Sequence, residues 1–74
     1  MLLYLPHPSD NVAIATQDGT VGDSGTTQFG TSIRLNSDVP VGFRIAVEDI
    51  ESGDNLLSWG NVFGVANCDI QTGE

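Results

Sequence analysis

Apolar and polar positions alternate along this chain in short runs. Leu2 to Leu5 is the first apolar stretch, and Pro6 and Pro8 close it. Proline is excluded from central strands and helix interiors, so the stretch predicts a strand at a sheet edge. Val12-Ala13-Ile14-Ala15 predicts a second strand, with small alanines that suit close packing on both faces. Ser32-Ile33-Arg34-Leu35 predicts another. Phe43, Ile45 and Val47 then alternate with Arg44, Ala46 and Glu48, which should place the first three on one face. Asn55–Trp59 and Val62–Ala66 predict two further strands, joined through Gly60-Asn61 as a tight hairpin. Gly64 inside the last strand predicts a bulge or a close backbone approach. No window carries helical periodicity, and a turn of 3₁₀ helix over Asp49–Gly53 is the most helix the pattern allows.

Between these runs one figure recurs. Asp49-Ile50-Glu51-Ser52-Gly53 returns as Asp69-Ile70-Gln71-Thr72-Gly73, and more loosely as Asp38-Val39-Pro40-Val41-Gly42. Asp18-Gly19-Thr20-Val21-Gly22 keeps only the Asp and Gly spacing. Each copy predicts a corner between strands. Its Asp accepts backbone N–H groups two or three residues on, its Ile or Val anchors the corner to a core, and its Gly supplies a positive φ. Residues 16–32 are rich in Gly, Thr, Asp and Ser, with Val21 and Phe29 as the large apolar exceptions. That composition predicts a flexible loop, either a surface excursion or a lid over a neighbouring site. The pattern as a whole predicts one all-β domain, residues 1–74, of six or seven short strands and many tight turns.

Composition narrows what such a domain does. At 74 residues it buries only about 60% of its unfolded surface, so its core is thin. A disulfide, a metal or a partner commonly supports domains of this size. Cys68 is the single cysteine and His7 the single histidine, so neither an internal disulfide nor a zinc-type cluster is expected. Partner association is what remains. The formal charge of −8, with Arg34 and Arg44 the only basic side chains, argues against nucleic acid and anionic membranes as partners. The acids suit a solvated surface or a high-salt habitat. No apolar run approaches the roughly 18 residues that span a bilayer. The short apolar start lacks a basic flank, and with the lone cysteine it predicts a cytoplasmic protein.

The ordered pieces His7-Pro8-Ser9-Asp10-Asn11-Val12-Ala13, Asp38–Gly42, Ala46–Asp54, Trp59-Gly60, Phe63-Gly64 and Asp69–Glu74 resemble the SAF domain. This is a β-clip fold, here in the version found in UxaA/GarD-type sugar-acid dehydratases. That group includes altronate and galactarate dehydratases and the small subunit of sulfolactate sulfo-lyase. The chain departs from the family pattern at Phe43, where the family has histidine in a Gly-His-Lys run. Trp59-Gly60 and Phe63-Gly64 replace Tyr-Gly and Ile-Gly, which keeps bulk and apolarity. In the family a His-rich strand follows the last Gly-Glu, which here is Gly73-Glu74. The resemblance implies an accessory small subunit or N-terminal-type domain of a hydro-lyase, active only within a larger complex. It implies a large partner subunit that holds a divalent metal such as iron, with no cofactor in this chain. The alternative is a stand-alone binding or oligomerisation module that self-associates and lacks lyase activity.

Three residues are candidates for substrate contact: His7, Asp10 and Asn11. Histidine suits proton transfer near neutral pH, and His7 between two prolines should be exposed and rigidly presented. Its simpler role is a turn residue bonded to local backbone. Asp10 and Asn11 could bind a hydroxyl or an ion, or cap the turn before Val12. No pair of carboxylates stands out as an acid and a base, and nothing poises a nucleophile, so no catalytic residue is assigned. Cys68, Trp59 and Phe63 are expected in or near the core.

Overall fold

A computed structural model describes residues 1–74. It contains seven strands and no helix: β1 (Leu2–Tyr4), β2 (Val12–Ala15), β3 (Ser24–Thr27), β4 (Ser32–Arg34), β5 (Arg44–Ala46), β6 (Asn55–Ser58) and β7 (Asn61–Val65). Five strands form one sheet in the order β4-β3-β1-β2-β5, and β6 and β7 form a separate hairpin. No helix is long and apolar enough to cross a membrane.

Two expected elements are corrected. β1 is the middle strand of the sheet, antiparallel to β2 and parallel to β3, and not an edge. Pro6 and Pro8 lie beyond its last residue, so they cost it no ladder bond. Residues 16–32 are not loop throughout, because they contain β3. That strand escapes a hydrophobicity reading because it is Ser-Gly-Thr-Thr. Gly25 is small for a reason: a Cβ there would sit 2.7 Å from Leu3 Cδ1.

The hairpin turn lies one residue earlier than expected, at Trp59-Gly60. Both residues have positive φ, 58° and 75°, the pairing that a two-residue type I′ turn demands. The bulge does fall beside Gly64. Leu56 pairs with Gly64 but Leu57 with Val62, which leaves Phe63 as the extra residue. Asp49–Gly53 is a turn and holds no 3₁₀ helix.

Most of the backbone bonding lies outside the strand ladders: of 33 backbone–backbone hydrogen bonds, 22 do. The four Asp-to-Gly corners associate in two pairs, residues 18–22 with 38–42 and residues 49–53 with 69–73. Within each pair the residues after the two Asp form an antiparallel bridge, Gly19 with Val39 and Ile50 with Ile70. The Asp side chains do not cap their own corners, contrary to the expectation from their spacing. Asp18 Oδ1 accepts Val41 N–H, and Asp38 Oδ1 accepts Val21 N–H. Asp49 Oδ1 accepts Thr72 N–H, and Asp69 Oδ1 accepts Ser52 N–H. Local capping falls to the acid after the Gly, as Asp23, Asp54 and Glu74 accept from Thr20, Glu51 and Gln71 N–H.

The core has two parts because β2 and β5 are covered on both faces. Ala13 and Ile45, paired across the ladder, face a cluster containing Leu3, Leu35 and Val39. Val12 and Ala46, the next pair, face a smaller cluster with Ile50 and Ala66, against which Leu56 and Ile70 pack. Phe43 does not share the inward direction of Ile45. It lies just before β5 and is 61% exposed.

Candidate functional site

The segment before β2 is a tight turn. Asp10 N–H donates to the His7 carbonyl at 3.0 Å, and His7 N–H donates to Asp10 Oδ2 at 3.1 Å. The rest of the Asp10 carboxylate meets the hairpin turn. Trp59 N–H reaches Oδ2 and Gly60 N–H reaches Oδ1, both at 2.8 Å. Two successive left-handed residues aim their amides the same way and form a small anion-binding nest. Here the chain's own Asp10 occupies it. Asn11 extends the clip: its Nδ2 donates to the Asn55 carbonyl and its Oδ1 accepts Leu57 N–H. The side-chain amide thus serves as a strand partner for β6.

The three sequence candidates are therefore neighbours with different surroundings. Asp10 and Asn11 are buried, and their polar atoms are engaged with the hairpin backbone. His7 is exposed. Its Nδ1 accepts Ser9 N–H at 3.1 Å and lies 2.7 Å from Ser9 Oγ. Its ring rests on Gly60, where a Cβ would come within 3.1 Å of His7 Cδ2.

Above this clip lies a feature that the hydrophobic pattern does not reveal. Trp59 and Phe63 are not core residues but are 57% and 51% exposed. Trp59 meets Tyr4 edge-on, with ring centroids 5.8 Å apart. The Arg44 guanidinium sits 5.1 Å from the Phe63 ring centroid, within cation–π range. Arg44 Nε also reaches Ser58 Oγ at 3.5 Å. Cys68, expected near the core, is exposed as well.

No three His, Cys, Asp or Glu side chains stand together to hold a metal ion. A shallow cleft of about 300 Å³ lies between the first two corners, lined by Asp18, Gly19, Thr20, Asp38, Val39 and Pro40. Each of its carboxylates already holds a backbone N–H of the opposite corner.

Seven short strands, paired corners and a carboxylate-clipped hairpin define a small all-β clip. The family model for the altronate/galactarate dehydratase SAF domain matches residues 2–74, and the chain belongs to that family. It is similar to altronate dehydratase of Bacillus subtilis, 34% identical over 92% of this chain, and to that of Escherichia coli, 36% identical over 90%. Galactarate dehydratase (L-threo-forming) of Escherichia coli is 33% identical over 81%. The chain spans only 14%, 13% and 11% of those three proteins' lengths.

Proposed function

We propose that this chain is an accessory domain or small subunit of a sugar-acid dehydratase, noncatalytic by itself. The substrate class is an altronate- or galactarate-like hydroxy acid, and the reaction is loss of water. The base that starts it and the divalent metal, such as iron, belong to a large partner, and the complex works in the cytoplasm. One observation carries the reading: the chain matches dehydratases over most of its own length but over at most 14% of theirs. The side chains agree with it. The buried acid, Asp10, has both carboxylate oxygens engaged by three backbone N–H groups of this chain, as suits a structural clip.

The test is a chimera in which these 74 residues replace the matched segment of the Bacillus subtilis altronate dehydratase. Turnover of altronate is expected from the chimera and none from the chain alone. A folded chimera without turnover, or turnover by the purified chain, would overturn the reading.

A further inference from the structure

The second face of the five-stranded sheet is only half covered. At one end the β6–β7 hairpin seats Leu56 on Val12 and Ala46. The same face continues along the next cross-strand row, where Tyr4 lies opposite Ile14 and Ile14 opposite Arg44. Ile14 in the middle of that row is half-buried, and Tyr4 at its end is 41% exposed. The hairpin only borders it, with Trp59 against Tyr4 and Phe63 under Arg44. Leu2, two residues before Tyr4, shares its side of the strand and is 57% exposed. The result is one apolar, aromatic surface with a single charge.

We propose that this face is where the domain docks on the catalytic body of the dehydratase, against an apolar patch that offers a carboxylate to Arg44. The inference rests on the accessory-domain reading above. Three observations select this occupant. First, Tyr, Trp, Phe and Arg are the side chains that anchor protein interfaces. Second, the face has no cavity of its own, since the molecule's one cleft lies at the first corner pair. A small ligand needs concavity, whereas a protein surface does not. Third, the charge is complementary to an acid and to nothing else on this chain's face. The contacts of Arg44 are a ring and a hydroxyl, so most of its guanidinium donors remain open. A second copy would bring together two chains that each carry −8, a repulsion that works against self-association. The dehydratase relatives, by contrast, carry the matched segment in one polypeptide with more than six times as much other chain.

Hydroxyl-radical footprinting of the free chain and of the chimera tests this directly. Oxidation of Tyr4, Trp59 and Phe63 should fall by about five-fold or more in the chimera, as expected for the dry centre of an interface. Phe29, on the β3–β4 turn, should keep its reactivity. Arg44→Glu should return Trp59 to within about two-fold of the free chain, because a like charge then faces the body's carboxylate. Phe63→Ser provides a second variant, and far-UV circular dichroism of the free variants checks that each folds. Equal reactivity of the three aromatics in both forms overturns the proposal even if the chimera dehydrates altronate, and leaves the accessory reading intact. Protection in an inactive chimera supports the docking face and removes the accessory reading. Concentration-dependent protection of Trp59 in the free chain, with a doubled mass by light scattering, assigns the face to a second copy and overturns the proposal.

Discussion

In the first corner pair the residues after the two aspartates are Gly19 and Val39; in the second they are Ile50 and Ile70. The residues that donate to the opposite aspartate are Val21 and Val41 in the first pair, and Ser52 and Thr72 in the second. The backbone bonds match all the same. In every corner the Gly N–H donates to the residue three before the partner's Asp: Gly22 to Leu35, Gly42 to Ala15, Gly53 to Ala66 and Gly73 to Ala46. The comparison separates what the corner requires from what it tolerates. It requires an acceptor at the Asp and a left-handed residue four positions on. The apolar anchor is negotiable. Gly19 has none because Leu35 and Met1 fill its place, where a Cβ would lie 2.5 Å from Leu35 Cδ1 and 2.7 Å from Met1 Sδ.

The sharpest break should come at the glycines. Gly53 and Gly73 have nearly the same φ, 92° and 95°, so alanine costs each about 1–2 kcal/mol of backbone strain. Their surroundings differ. A methyl added at Gly53 would meet nothing within 4 Å, while one added at Gly73 would run into the Arg34 carbonyl oxygen. Forcing that contact adds about 1–3 kcal/mol. Urea unfolding should therefore rank Gly73→Ala well below Gly53→Ala. Equal midpoints would mean that the fourth corner is not pressed against β4.

A second test asks whether the pairs are real units. Removing Asp18 or Asp38 frees one exposed backbone N–H and should cost about 0.5–1.5 kcal/mol. Because each Asp holds the other's corner, the double change Asp18→Ala with Asp38→Ala should not be additive. Asp18→Ala with Asp69→Ala should be additive within about 0.5 kcal/mol. Coupling of the same size across the two pairs would dissolve the distinction.

The third concerns the one corner without a terminal acid. Asp23, Asp54 and Glu74 each accept an N–H three residues back. The equivalent position after Gly42 is Phe43, and three residues before it stands Pro40, which has no N–H to cap. Asp54→Ala should thus cost about 0.5–1 kcal/mol. Phe43→Asp should gain nothing measurable in the same denaturation assay.

These contrasts also mark how far the sequence could be read. The corners were legible because Asp and Gly each act locally. Their pairing was not, because the bonds run between residues 17 to 23 apart and any corner could have served as partner. The clip at Asp10 and Asn11 was hidden for the same reason, with partners 44 to 50 residues on. β3 was missed because its place in the sheet depends on Gly25 yielding space to Leu3, which no hydrophobic pattern records. Trp59 and Phe63 were misplaced because size and apolarity do not tell a core from an uncovered face. The family resemblance, in contrast, needed only the order of short pieces along the chain, from His7–Ala13 to Asp69–Glu74.

The finest difference between the pairs is a hydroxyl. Thr72 gives Asp49 Oδ1 both its N–H and its Oγ1–H, each at 2.9 Å, whereas Val21 and Val41 have only an N–H to give. The backbone N–H of Thr72, and then its hydroxyl, hold the Asp49 carboxyl below the ordinary aspartate value of 3.8, against a small opposing effect of desolvation. A depressed folded value means that the charged carboxylate binds its donors more tightly in the native state. Its contribution to stability is complete above the unfolded value and is lost as pH falls through the lower, folded one. Carbon-detected NMR titration should place the Asp49 midpoint below 3.8. Thr72→Val should move it part of the way back, because the larger, backbone contribution survives. The acid limb of the stability curve should flatten accordingly in Thr72→Val and flatten further in Asp49→Asn. An unmoved midpoint in Thr72→Val would show that the hydroxyl contributes nothing, and that the second pair is held as the first is, by backbone donors alone.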